Sequence, residues 1–287
     1  MKSACSFPIH LCQPDPQKSC AACCGIYNFK DNTRQAVSRR LQRNSSFIKH
    51  EMPELSPKAL HFHSRNWRSR NNGSVKRFET IFNCEFVGFL DAASRRVGCL
   101  LHPLLHNGKD LRQCSFYGAE LCDGHFCPSY RYLTLEEQAF VVKTTQDWYL
   151  YGLVITDIDL VKGIYQALSD RLGQAVQPSW LASRPVQAAI GKLWRWKLHW
   201  PYRRDGFDWF GKYLFIGDHY EEIHIPYELW GVKPSSYHRI FLALGSEFRS
   251  VEQLRHAELL IEDDLNQAAK ALEEALSQKT LDRPFLG

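Results

Sequence analysis

All ten cysteines of this chain lie between Cys5 and Cys127, and the last 160 residues contain none. Disulfide frameworks belong mainly to small exported domains, whereas a chain of 287 residues can bury a core without them. The first twelve residues lack the apolar stretch of a signal peptide, and no apolar run reaches the length of a membrane span. We therefore expect a cytoplasmic protein without a membrane span, whose clustered thiols are kept for metal binding.

The cysteines fall into groups whose spacing suits a metal site. Cys20, Cys23 and Cys24 form a C-x2-C-C motif, and a C-x2-C turn brings two sulfurs onto one ion. Cys5 and Cys12 can be either ligands or small buried apolar residues. The predicted metal ligands are the remaining eight: Cys20, Cys23, Cys24, Cys84, Cys99, Cys114, Cys122 and Cys127.

Four histidines can in principle replace a thiolate ligand. His102 follows Cys99 by three residues and is the best non-cysteine candidate, while His125 precedes Cys127 by two. His61 and His63 alternate as in a strand, which predicts that both point to one side. A hydrogen-bonded or surface histidine is the commoner outcome for each of them.

The N-terminal half resembles the YkgJ-type cysteine-cluster family. The resemblance rests on Cys20-Ala-Ala-Cys23-Cys24, Cys84-Glu-Phe-Val-Gly-Phe-Leu, Gly98-Cys99-Leu-Leu-His-Pro103 and Cys114-Ser-Phe-Tyr, and it covers about 100 residues. It implies a zinc- or iron-chelating domain. Flagellin lysine-N-methylases carry a similar cluster, so the resemblance also implies protein-lysine methyl transfer as an alternative function.

The cysteine spacing leaves two metals open. Four thiolates suit either tetrahedral zinc or an iron–sulfur cluster, and eight cysteines suffice for two such sites. The irregular spacing and the adjacent Cys23–Cys24 pair favour an iron–sulfur cluster of the 4Fe–4S type over zinc.

Two segments offer an alternative function as a nucleic-acid or partner-binding adaptor. Residues 30–77 contain twelve Lys or Arg and three acidic residues, and residues 194–212 interleave aromatic and basic side chains. Such segments can bind phosphates and stack on bases. We favour the plainer interpretations, which are a solvated connecting segment and a set of core aromatics. A protein or redox partner is compatible with the pattern, and no feature identifies one.

The C-terminal half has the signals of helices. A capping box at Thr134–Glu137 predicts a helix over 135–152, Asp157 and Gly173 bound a second, and Pro185 suits the first turn of a third over 184–199. A short hairpin is predicted around Gly217-Asp218. Another capping box at Ser250 opens a last helix whose apolar positions are Leu254, Ile261, Leu265, Ala268, Leu272 and Ala275.

These signals predict an α-rich α+β fold of two domains. Residues 1–132 form an irregular, metal-stabilised, cysteine-rich region, and residues 133–287 form a mostly helical region with the hairpin. No nucleotide-binding, metalloprotease or serine-hydrolase motif is present. Asp147, Asp157 and Asp159 are interpreted as helix caps and surface charges rather than as paired acid–base carboxylates. The sequence thus predicts a metal-binding protein with a structural or redox role and leaves catalysis undecided.

Overall fold

The computed structural model describes residues 9–51, 55–70, 75–79, 81–206 and 224–281. These residues are mostly helical, with one small antiparallel sheet, which confirms the α-rich prediction. They divide into two compact units, each described by itself. The cysteine unit comprises residues 10–127 and 147–152, and the helical unit comprises residues 128–146 and the described residues from 153 onward. The predicted boundary after residue 132 thus lies five residues beyond the division after Cys127.

The cysteine unit contains two helices where the sequence indicated a connecting segment. Helix α1 spans Arg34–Ser46 and α2 spans Pro57–Arg70. Thr33 caps α1 by accepting a hydrogen bond of 3.3 Å from the N–H of Ala36. Residues 30–77, which we interpreted as a solvated connecting segment, thus contain two helices, and a narrow buried face is enough to fold α1. That face consists of Ala36, Val37, Leu41 and Asn44.

A two-stranded sheet packs against α1. Strands β1 (Val87–Phe89) and β2 (Val97–Cys99) are antiparallel, and Val87 lies opposite Cys99. The side chain of Asn44 donates to the carbonyl oxygen of Val87 at 2.9 Å, and the N–H of Phe89 donates to the Ser45 hydroxyl at 2.7 Å. These polar contacts fix β1 relative to α1, and the pairing of Val87 with Cys99 then places β2. Short 3₁₀ helices lie at Ala22–Cys24, Pro103–Leu105 and Arg112–Cys114, and helix α3 spans Gly118–Gly124.

The helical unit packs its helices around an apolar core, much as the sequence predicts. The helices of this part of the chain are α4 (Ser129–Tyr132), α5 (Leu135–Thr144), α6 (Trp148–Ile155), α7 (Ile158–Leu172), α8 (Arg184–His199), α9 (His238–Ala243) and α10 (Val251–Leu281). The first residues of α6 belong to the cysteine unit. Asp157 and Gly173 cap α7, and both members of the predicted capping box of α5 are present. All six predicted apolar positions of α10 are buried.

The helix predicted over 135–152 is interrupted between α5 and α6. The carboxylate of Asp147 accepts hydrogen bonds from the N–H groups of Tyr149 and Leu150, at 2.9 and 3.0 Å, and so begins a new helix. Asp157 is likewise a cap, since it accepts from the N–H of Leu160. It is not a surface charge, however, because it is buried in an ion pair with Lys197.

The tryptophans of the aromatic and basic segment belong to the core. Trp194, Trp196 and Trp200 are buried, and their indole N–H groups donate to Thr144, Asp264 and Ser246 respectively. These three rings are therefore not available for stacking on bases. The predicted hairpin around Gly217-Asp218 and the end of that segment lie outside the described residues. None of the helices described has both the length and the apolar character needed to cross a membrane.

Candidate metal centre

The C-x2-C-C motif folds into a tight turn that ends in a glycine. Ala22–Cys24 is a 3₁₀ helix, and Gly25 closes it in the left-handed region with φ of 79°. A Cβ atom at Gly25 would lie 2.6 Å from the carbonyl oxygen of Phe82. Glycine is therefore required here both for the backbone conformation and for the close approach of residues 82–84.

This close approach places Cys84 beside the turn. The N–H of Cys84 donates a hydrogen bond of 2.9 Å to the carbonyl oxygen of Cys24. The buried side chain of Asn83 donates to the carbonyl oxygen of Gly25 at 2.6 Å, and the side chain of Asn28 donates to that of Asn83 at 3.2 Å. The second cysteine segment is thus tied to the first by buried hydrogen bonds, although the two are about sixty residues apart in the sequence.

Two further cysteines, Cys12 and Cys122, lie in segments outside the C-x2-C-C turn. The N–H of Cys20 donates to the carbonyl oxygen of Cys12 at 2.9 Å. Cys122 lies on α3 and is exposed. Arg112 forms ion pairs of 2.6 Å with both Asp110 and Asp123, and so holds α3 to the segment that precedes it.

The thiols influence one another electrostatically, and Cys24 has several cysteine neighbours. Desolvation raises the pKa of the Cys24 thiol, and repulsion from Cys99, Cys122 and Cys12 raises it further. Burial, followed by Cys12, Cys127 and Cys24, raises the pKa of Cys20. Each thiol thus resists deprotonation, partly because a second thiolate would lie close to the first.

The same effects connect Cys84, Cys99 and Cys23 to this group. Burial raises the pKa of Cys84, with further increases from Cys24 and Cys99, and burial raises that of Cys99 to about 11. Burial also raises the pKa of the Tyr117 hydroxyl, and Cys23 is among the thiols that raise it further. That hydroxyl donates to the carbonyl oxygen of Phe82 at 2.8 Å. We call these eight residues the thiol cluster: Cys12, Cys20, Cys23, Cys24, Cys84, Cys99, Cys122 and Cys127.

Cys114 is the one predicted ligand, among the described residues, without an electrostatic link to the thiol cluster. Its residue is 1% exposed at the end of a 3₁₀ helix, and burial raises the pKa of its thiol. No other cysteine contributes to that shift, and Lys109 opposes it. Cys12 takes its place in the cluster. The sequence alone leaves the role of Cys12 open, because Cys12 lies outside the C-x2-C-C motif.

The candidate histidines do not strengthen the metal site. Nδ1 of His102 accepts a hydrogen bond of 3.2 Å from the N–H of Leu104, which caps a 3₁₀ helix. His61 and His63 lie on α2, so the strand predicted for them is wrong, and two residues apart on a helix they do not share a face. The ring of His63 stacks on Phe47 with centroids 3.8 Å apart. His125 is exposed.

The thiol cluster has the donor chemistry of a metal site, although its sulfurs do not converge on one point. None of the nine cysteines of the described residues forms a disulfide bond. Within the same residues, no three His, Cys, Asp or Glu side chains are arranged to hold a metal ion. Metal binding therefore requires some of these sulfurs to move together. Thiolate ligation would then replace the repulsion between neighbouring thiolates with bonds to a cation.

Comparison of the chain with protein-family models, with curated proteins and with solved structures gives no match. The resemblance of the cysteine spacing to the YkgJ-type family stays a prediction. The basis for a functional proposal is accordingly the cysteine pattern together with the geometry of the thiol cluster.

Proposed function

We propose that this chain is a metal-binding protein that holds an iron–sulfur cluster or zinc through the thiol cluster. The observation that carries the proposal is the collection of cysteines from four parts of the sequence, around residues 12–24, 84, 99 and 122–127. Backbone hydrogen bonds join Cys84 to Cys24 and Cys20 to Cys12, and neighbouring cysteines help to raise the pKa of these thiols. Cysteines that serve only as small apolar residues have no reason to collect in this way. Cys114 is assigned a packing role instead.

The surroundings of the thiol cluster are compatible with a desolvated metal. Phe82 stacks on Phe116 with ring centroids 4.0 Å apart, and Tyr117 meets Phe82 edge to face at 5.7 Å. Phe116 is 52% exposed, so Tyr117 is the ring that would limit the access of water and so tune the potential of an iron–sulfur cluster. The adjacent Cys23–Cys24 pair keeps the 4Fe–4S cluster as the favoured form, with zinc as the alternative.

The bound metal would have a structural role. It would join segments that have few regular elements of their own, namely the C-x2-C-C turn, the end of β2 and the short helix α3. In such segments, the free energy of metal binding becomes free energy of folding. An iron–sulfur cluster would add the ability to carry an electron, and the exposed Cys122 marks the edge at which a redox partner would approach.

The alternative functions from the sequence stay predictions. Protein-lysine methyl transfer rests on the family resemblance alone. For the binding of nucleic acid, the exposed arginines of α1, such as Arg34 and Arg39, remain available as contacts to phosphates. The three tryptophans are buried and cannot stack on bases.

Comparison of two cysteine variants tests the metal proposal. Cys24→Ser should remove most of the bound metal, because three other cysteines, Cys99, Cys122 and Cys12, influence the Cys24 thiol. Cys114→Ser should leave the metal content per chain unchanged. Circular dichroism of both variants should show that each is folded. Equal metal content in Cys24→Ser and the unaltered protein would overturn the proposal.

A further inference from the structure

A pocket lies in the cysteine unit between α1 and the C-x2-C-C turn. Its wall includes Arg40 and Arg43 from α1 and Cys24, Gly25, Asn83 and Cys84 from the cysteine segments. The space within it, counted together with the solvent at its mouth, is about 330 Å³, so the pocket is a shallow one that suits only a small group. The charged residues that line it are both arginines, so the pocket carries positive charge without an acidic counterpart in its wall.

Arg40 is held in place by two contacts. Its guanidinium carbon lies 3.9 Å from the centroid of the Phe29 ring, and Nη2 donates to the carbonyl oxygen of Asp31 at 2.8 Å. A guanidinium fixed in this way presents its remaining N–H groups in a set direction. Little side-chain entropy is then lost when a ligand binds to them.

One nitrogen of Arg40 lacks a partner. Nη1 is enclosed by protein and makes no hydrogen bond within the described part of the chain. The Asp31 carboxylate attracts this guanidinium but forms no hydrogen bond with Nη1, and its Oδ1 accepts from the N–H and hydroxyl of Thr33. An enclosed polar group without a hydrogen bond is rare in folded proteins, because losing hydration without compensation is costly. This nitrogen therefore indicates an acceptor that comes from outside the chain.

The amide groups of the pocket already have partners. Asn83 donates to the carbonyl oxygen of Gly25, and Asn44 donates to that of Val87. Arg43 lies one helical turn after Arg40 on α1 and is exposed. The two guanidinium groups are thus the donors of this pocket that a ligand can use.

We propose that this pocket binds the oxyanion group of a small ligand, a carboxylate or a phosphate, through Arg40 and Arg43. Arginine is suited to this chemistry because its planar fork donates paired, charge-assisted hydrogen bonds to such oxygens. The proposal does not depend on the metal, since neither arginine is a metal ligand. An oxyanion held here would lie in the same pocket as Cys24 and Cys84.

Calorimetric titration of the full-length protein with inorganic phosphate, and separately with acetate, tests this proposal. Chloride should keep the ionic strength constant in both titrations. We expect saturable binding of one anion per chain. The anion with the lower dissociation constant shows whether the natural ligand carries a phosphate or a carboxylate. Arg43→Gln should weaken that binding at least about tenfold, as expected for the loss of a charged hydrogen bond.

Arg39→Gln is the matched control, because Arg39 is exposed on the same helix and does not line the pocket. It should bind the anion as the unaltered protein does. Arg40→Gln should also weaken binding, and its thermal unfolding should be measured because Arg40 contacts Phe29 and Asp31. Arg43→Gln should keep its metal content, which separates the anion site from the metal centre. Absence of saturable binding by either anion, or equal weakening by Arg39→Gln and Arg43→Gln, would overturn the proposal.

Discussion

The N–H of Cys84 donates a hydrogen bond of 2.9 Å to the carbonyl oxygen of Cys24, joining two cysteine segments that are distant in the sequence. The contact depends on Gly25, whose missing side chain leaves room for the carbonyl group of Phe82. The geometry of the proposed metal centre therefore rests on a backbone contact as much as on the cysteines themselves.

Gly25→Ala should destabilise the protein and lower its metal content. A left-handed conformation costs a residue with a side chain about 1–2 kcal/mol, and the new Cβ would also overlap the Phe82 oxygen. We therefore expect the free energy of unfolding to fall by at least about 2 kcal/mol. Gly108→Ala is the control, since Gly108 has φ of 86° with no atom within 4 Å of its Cβ position. If denaturant unfolding shows equal losses for the two variants, the close approach at Gly25 has no energetic importance.

Cys12→Ser should weaken metal binding although Cys12 lies outside the C-x2-C-C motif. Cys12 raises the pKa of both Cys20 and Cys24, which places its thiol near theirs. Competition with a chromophoric chelator should show a lower metal affinity for Cys12→Ser than for Cys114→Ser. A lower metal affinity for Cys114→Ser than for Cys12→Ser would show that Cys114, and not Cys12, is a metal ligand.

Chelation of the metal should loosen the cysteine unit more than the helical unit. A ligand that binds only the folded state stabilises that state by about 4 kcal/mol when its free concentration is about 1,000 times its dissociation constant. Limited proteolysis after chelation should therefore cut first within residues 84–127. Identical digestion patterns with and without metal would contradict a structural role for it.

Lys197→Met should destabilise the helical unit strongly. The ammonium group of Lys197 is paired with the carboxylate of Asp157, and the two side chains are 1% and 2% exposed. Removing the lysine would leave a buried carboxylate without its counter-ion, at a cost of about 3–5 kcal/mol.

Lys192→Met on the same helix is the comparison. Its ion pair with Asp264 has a half-exposed lysine, so its removal should cost about 1 kcal/mol. Denaturant unfolding of the two variants measures the difference. Similar losses in both would show that burial of the Lys197–Asp157 pair is energetically unimportant.

The sequence predicted the helices whose signals are local. Asp157 and Gly173 delimit α7 through caps, and α10 follows from its apolar period. At the start of α10, Ser250 accepts from the N–H of Gln253 as expected, whereas the Gln253 side chain accepts from Arg249 rather than from Ser250. Helices α1 and α2 were missed because their residues are mostly polar and their buried faces are narrow.

The candidate site was predictable only in part. The grouping of cysteines is a local property of the sequence, and seven of the eight predicted ligands lie in the thiol cluster. The exchange of Cys114 for Cys12 depends on contacts between distant segments, in particular the hydrogen bond between Cys20 and Cys12. The arginines of the pocket belong to a helix that the sequence did not predict, so no pattern pointed to them.

Metal and acid-labile sulfide content per chain, with an absorption spectrum, tests the central claim most directly. The full-length protein should be purified without oxygen before the measurement. We predict about four iron and four sulfide per chain and a broad absorption band at about 400 nm. About one or two zinc ions per chain in a colourless protein would support the same metal site with zinc as the bound metal. A protein that contains neither iron nor zinc, and that takes up neither on reconstitution, would contradict the account.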